Sequence, residues 1–239
     1  SIATMDFAAV LQALNQVSGF ELYRLRAAIL TFSVSIEVPF SFVLLLRVNY
    51  AAFDSREPAT FGPIIERLEA EEGELNAAVF VGSMPEQAAI DRDPALIDGV
   101  VADSFTGPAR FLQMLAPVME ARGGGTVVGV GSVAGDRGRL GNYVYGAAKA
   151  GFATYLSGLR NRLTRAGGHV VTVKPGFVDT AMTWGLPGLF LVASPEAVAA
   201  DLVKAVRRKR NVIYTPFFWR WIMLIIRHIP EPVFKKMKI

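Results

Sequence analysis

A chain of 239 residues, 52% of them hydrophobic, with a mean hydropathy of +0.36, is long enough to fill the core of one large α/β domain, and nothing in its composition calls for a second. It has no cysteine, which excludes a disulfide framework and a thiolate metal site, and its two histidines, His169 and His228, are too few and too far apart to indicate a metal centre. The net charge of +4 hides an asymmetry: residues 204–239 hold ten of the 25 Lys/Arg and one of the 21 acidic residues, so the remainder is acidic and the positive charge belongs to the C-terminal end.

Taken in chain order, residues 4–28 read as a helix interrupted at Gly19. The next stretch, ILTFSVSIEVPFSFVLLLR (29–47), is almost continuously apolar and of membrane-spanning length, but Glu37 and Pro39 lie near its middle. Two buried strands separated by a turn fit it better than a membrane insertion; a segment foreign to the surrounding pattern is the third reading. A basic n-region and a small-residue cleavage site are missing, so no signal peptide is expected. RVNYAAFDS (47–55) ends a strand, residues 61–71 form a polar-faced helix, and LNAAVFVGS (75–83) is a buried strand. Residues 94–122 read as one long helix kinked at Pro108, followed by a glycine turn at 123–125. TVVGVGS (126–132) is a buried parallel strand, and 135–141 a flexible loop whose Asp136, Arg137 and Arg139 read as solvated, an arginine meeting an anionic substrate being the sharper alternative. An amphipathic helix follows at 142–165. Ser194 as N-cap, Pro195 at the first position and Glu196 in the first turn open a helix that runs to about Arg207, and NVIYT (211–215) is the last strand.

One stretch concentrates chemistry. In SVAGDRGRLGNYVYGAAKAGF, Ser132 ends a strand, and Tyr145 and Lys149 stand four residues apart on one helix face. An ammonium beside a phenol favours the phenolate and lowers its pKa toward neutrality, and open α/β sheets hold ligands at the carboxyl ends of their strands. A bare Tyr and Lys at this spacing most often only decorate a helix. With Ser132 upstream and VVTVKPGFVDT (170–180) downstream, the set resembles the short-chain dehydrogenase/reductase family from about Val48 onward.

That resemblance implies a single doubly wound, mostly parallel Rossmann-like α/β domain (1–215) and hydride transfer between NAD or NADP and a carbonyl or carbinol carbon. It makes Tyr145 the acid/base. Lys149 lowers its pKa and binds the nicotinamide ribose, while Ser132 holds the substrate oxygen. Pro175, Gly176, Val178 and Thr180 line the nicotinamide carboxamide, and Gly82, in Val81-Gly82, keeps the glycine of a turn on the adenine ribose but loses the family's asparagine. Ser104 stands where the family often has an Asn that extends a proton relay through water. The family's glycine-rich pyrophosphate turn has no counterpart before Gly62 except Gly19, with Ser1-Ile2-Ala3 as its one conceivable remnant. These departures leave open a non-catalytic scaffold of the same fold that has lost cofactor binding.

Beyond Thr180, AMTWGLPGLFLVAS is an apolar segment where the family has its substrate lid, which fits either an apolar or lipid-linked substrate or plain packing. The tail 216–239, PFFWRWIMLIIRHIPEPVFKKMKI, interleaves aromatic and aliphatic residues with basic ones, as a helix lying in a membrane interface does, and is too short in apolar residues to span one. Packing against its own domain or a sister subunit is the competing reading, and no nucleic-acid module accompanies its charge. The tail also resembles the ending of a reductase subgroup acting on a decaprenylphosphoryl keto-pentose. The expectation is a cytoplasmic homo-oligomeric enzyme, peripheral at the membrane's inner face, with no bound metal and no nucleic-acid partner. The long helices at 94–122 and 142–165 are those through which family members often associate.

Overall fold

A computed structural model of the chain describes residues 28–35, 45–71, 73–179 and 191–237. Strands β1 (Ala28–Ser35) and β2 (Leu45–Ala52) form a two-stranded antiparallel sheet with Ala28 opposite Ala52 and Ser35 opposite Leu45. β1 falls within the apolar stretch as expected, whereas β2 begins only at its end and takes in RVNYAA, and the turn expected between two strands of that stretch lies outside the described residues. The helix expected at 4–28 and the Ser1-Ile2-Ala3 turn lie outside the described residues.

Four further strands, β3 (Ala77–Val79), β4 (Thr126–Val130), β5 (His169–Pro175) and β6 (Val212–Thr215), stand side by side in that order, all parallel. Helices cover both faces, because consecutive side chains of a strand point to opposite sides. On one face Val79, Val127 and Val170 pack with α1 (Phe61–Ala70), α4 (Gly107–Ala121) and α5 (Tyr143–Thr164), through Phe61, Leu112, Leu115, Phe152 and Leu156. On the other, Val128, Val171 and Val173 meet Leu202 and Ala205 of α6 (Pro195–Arg207). Phe61, Phe152, Leu156, Val127 and Val170 are fully buried; each such side chain stabilises the fold by about 1.5–3 kcal/mol. This is the doubly wound arrangement expected from the sequence.

The long helix expected at 94–122 is instead three segments, preceded by the short α2 (Gln87–Arg92). α3 (Leu96–Val101) passes into a π-helical turn, Ala102–Thr106, and continues as α4. Pro108 has no N–H to return to the carbonyl of Ser104, and the wider register appears in the turn just before it. The strand expected over 75–83 is confined to Ala77–Val79, since the Val81 carbonyl accepts a hydrogen bond from Lys149 Nζ.

After β6 the chain forms α7 (Trp219–His228) and α8 (Glu231–Phe234). One face of α7 is sunk into the domain: Trp219 and Met223 are buried and pack with Val133, Phe177 and Tyr214. Its opposite face leaves Phe217, Trp221, Leu224 and Ile225 in solvent. No helix among the described residues is long and apolar enough to cross a membrane.

Candidate active site

The carboxyl ends of β3, β4 and β5 lie side by side along one edge of the sheet, the edge at which open α/β sheets hold ligands in a crevice, and each delivers a residue singled out in the sequence. Gly82 follows β3, Ser132 follows β4, and Pro175 and Gly176 close β5. Ser132 caps the 3-10 turn Val133–Asp136, its Oγ accepting from Ala134 N at 3.1 Å. α5 runs beneath this edge, with Asn142 as its N-cap, and puts Tyr145 and Lys149 in its first two turns, both buried.

Lys149 Nζ donates to the carbonyls of Val81 at 2.8 Å and Val130 at 3.0 Å, so the ammonium ties the ends of β3 and β4 together. Two of its three N–H groups are used in this way. Burial pulls its pKa down to about 8. Gly82 stands against it with φ of +156°, and a Cβ there would lie 3.0 Å from Lys149 Nζ and 3.1 Å from Ser104 Oγ. Only glycine takes that backbone conformation readily and leaves the space above the ammonium open.

Tyr145 is held differently from the expectation. Burial pushes its phenol up from the ordinary value, against the Ser132 hydroxyl and the positive charge of Arg139, which pull it down. Lys149 Nζ stands over the Tyr145 ring, 5.9 Å from its centroid, while two of its N–H groups are engaged by the strand carbonyls. Ser104 is fully buried in the π-helical turn, and its Oγ accepts from Ser83 N at 3.3 Å and reaches Ser83 O at 3.4 Å, bracing the turn after β3. Val178 bridges to Ala193, whereas Thr180 and the apolar segment after it lie outside the described residues.

Within 135–141, Asp136 and Arg137 are not solvated as expected, although Gly138, Leu140 and Gly141 are exposed. Asp136 accepts from Tyr214 Oη at 2.7 Å and pairs with Lys174, with its side chain almost wholly buried. Arg137 donates to the carbonyls of Ile226 at 2.6 Å and Ile229 at 2.7 Å, pairs with Glu231 and lies 3.6 Å from the Phe234 ring centroid. Thus the C-terminal helices are fastened to the loop that follows Ser132. Trp219 is the wall behind Gly176: a Cβ at that glycine would run into its indole ring, which also meets Phe177 edge-on at 5.6 Å. None of these partners is signalled locally, since they lie 38 to 97 residues apart.

The nicotinamide-ribose end of a dinucleotide fits this crevice. Gly82 leaves space over a buried ammonium that has one N–H uncommitted to the strand carbonyls, next to a phenol and a serine hydroxyl.

The chain is similar to known proteins over most of its length. The family model for short chain dehydrogenase matches residues 46–187. An uncharacterized oxidoreductase of Mycobacterium tuberculosis is 34% identical over 193 residues, covering 80% of this chain and 78% of that protein. A cyclohexanol dehydrogenase of a Rhodococcus species is 35% identical over 134 residues, 53% of this chain and 50% of that one. Among solved structures, a short chain dehydrogenase of Burkholderia cenocepacia in complex with NADP superposes with a TM-score of 0.68 at 16% identity, over 77% of this chain and 75% of that one. The chain belongs to the short-chain dehydrogenase family of NAD(P)-dependent oxidoreductases.

Proposed function

We propose that this protein reduces a ketone, or oxidises the corresponding secondary alcohol, with NADPH or NADH, and that Tyr145, Lys149 and Ser132 carry the reaction. The observation behind this reading is the convergence of Ser132, Tyr145 and Lys149 at the carboxyl ends of β3 to β5. A bound reduced nicotinamide supplies the hydride that the carbonyl carbon receives. Ser132 Oγ hydrogen-bonds the substrate oxygen and orients it to the Tyr145 hydroxyl. Tyr145 gives its proton to that oxygen as negative charge develops there. Because burial holds its pKa up, the phenol is protonated and ready to act as an acid in the reductive direction. The remaining N–H of Lys149 would hold a ribose hydroxyl, and Pro175, Gly176 and Val178 would line the carboxamide.

The substrate is apolar or lipid-linked, and the protein meets it at a membrane surface. The outer face of α7 supports this: Phe217 and Ile225 are 74% and 68% exposed, on one side with Trp221 and Leu224. Arg220, Arg227, Lys235 and Lys236 supply basic groups around it. Such a surface suits shallow insertion among acyl chains with cations at the headgroups. The decaprenylphosphoryl keto-pentose of the subgroup that the tail resembles is a substrate of this kind.

Ketone-dependent oxidation of NADPH and NADH tests the reading, with cyclohexanone, an acetoacetyl thioester and a phosphorylated keto-pentose as substrates. Turnover of one ketone with one cofactor is expected. Failure of every combination, with no cofactor binding by nicotinamide fluorescence, contradicts it and favours the scaffold.

A further inference from the structure

On the loop that follows Ser132, Arg139 is, among the described residues, a half-buried charge whose side chain has no hydrogen-bond partner. Among the described residues its guanidinium makes no hydrogen bond and no ion pair, and its Nε is closed off from solvent with no acceptor. Nearly all buried polar groups find partners, and a buried cation that does not is costly. The charged neighbours on the same loop are engaged elsewhere: Asp136 with Lys174 and Tyr214, and Arg137 with the carbonyls and Glu231 of the C-terminal helices. Asp136 and the Tyr145 phenol are the groups whose charge acts on Arg139, and Arg139 acts in turn on Tyr145. The Arg139 carbonyl accepts from Asn142 N at 3.2 Å, at the N-cap of α5, so the unspent guanidinium belongs to the loop that leads into the helix turn carrying Tyr145.

We propose that Arg139 receives an oxyanion carried by the substrate close to the reacting carbonyl. A guanidinium offers a planar fork of N–H donors that matches a phosphate ester or a carboxylate. The half-buried setting raises the value of that contact, because water competes poorly for the same donors. The loop that carries it is anchored, as Arg137 is fastened to the C-terminal helices and Asp136 to Lys174 and Tyr214. This rests on the reductase reading of the crevice and adds a chemical requirement to its substrate: an anionic substituent near the ketone.

Calorimetric titration of the full chain tests it, with phenyl phosphate, decyl phosphate and decanoate as probes. Binding of at least one is expected, and Arg139→Gln should weaken it about tenfold or more, the scale of one lost charge-assisted pair. Arg139→Lys, which keeps the charge and loses the fork, should recover part of the affinity and serves as the readout where the glutamine variant fails to fold. Preference for decyl over phenyl phosphate assigns the anion to a lipid-borne ester, the reverse to a free one, and decanoate alone to a carboxylate. Tyr145→Phe should bind the probes as the wild type does while losing ketone turnover, so the anion site and the reductase reading fail separately. No binding by the wild type, or equal affinity in the wild type and both Arg139 variants, overturns the proposal.

Discussion

Lys149 is an ionisable group held where its charge is unwelcome, and that has a measurable sign. Its ordinary pKa of 10.5 falls to about 8 in the folded chain because burial disfavours the ammonium. Between these values the unfolded chain keeps a proton that the folded chain has released, so stability rises with pH through this window. Below about pH 8 the full penalty persists, on the order of 3 kcal/mol. Urea unfolding of the wild type and Lys149→Met should show the difference between them shifting in favour of the wild type from pH 8 to 10.5; a flat difference would mean the amine does not titrate there. Gly82 belongs to the same contact. Gly82→Ala forces a side chain onto a backbone with φ of +156° and against Lys149 Nζ; such strain costs about 1–3 kcal/mol. The same unfolding assay should register that loss, and nicotinamide binding should weaken with it.

At the level of elements, the termini of helices are where sequence and structure agree most closely. α6 begins where Ser194, Pro195 and Glu196 place it, with Ser194 Oγ accepting from Ala197 N at 3.2 Å. Ser194→Ala should cost about 1 kcal/mol, localised to that helix by amide exchange. The Tyr145–Lys149 pair is equally legible, since a spacing of four on one helix is a local fact. The π-helical turn before Pro108 is not, because proline marks a break without saying how the backbone resolves it. Nor is the clamp between the loop after Ser132 and the tail: Arg137 reaches carbonyls about 90 residues away that carry no side-chain signature. Removing it takes the charged donor from the carbonyls of Ile226 and Ile229 at the C-terminal end of α7, a hydrogen bond to a charged group contributing about 1.5–3 kcal/mol. Arg137→Ala should therefore speed amide exchange throughout α7 and α8 and leave α6 unchanged; equal protection in both variants would count against the clamp.

For the whole molecule, the buried strands and the capped helices are legible in hydrophobic runs and caps, and the doubly wound parallel order in the resemblance to the family. The role of the C-terminal helices is hidden in that reading, because an apolar basic segment looks the same whether it packs inward or faces a bilayer. The structure shows α7 facing inward through Trp219 and Met223 and outward through Trp221 and Ile225. A double Trp221→Glu, Ile225→Glu variant should lose flotation with vesicles of phosphatidylcholine and phosphatidylglycerol while keeping its thermal unfolding midpoint. Retained flotation would move the membrane contact elsewhere.

The central claim is that the phenol of Tyr145 is the proton donor for carbonyl reduction, and it is tested most directly by Tyr145→Phe in the full chain. The substitution keeps the ring in its buried place and removes only the hydroxyl. Steady-state NAD(P)H oxidation with a ketone that the wild type turns over should fall by about 10²–10⁴, with cofactor affinity unchanged and the same unfolding midpoint. Turnover within about threefold of the wild type, well short of the loss expected for a removed acid, would contradict the account.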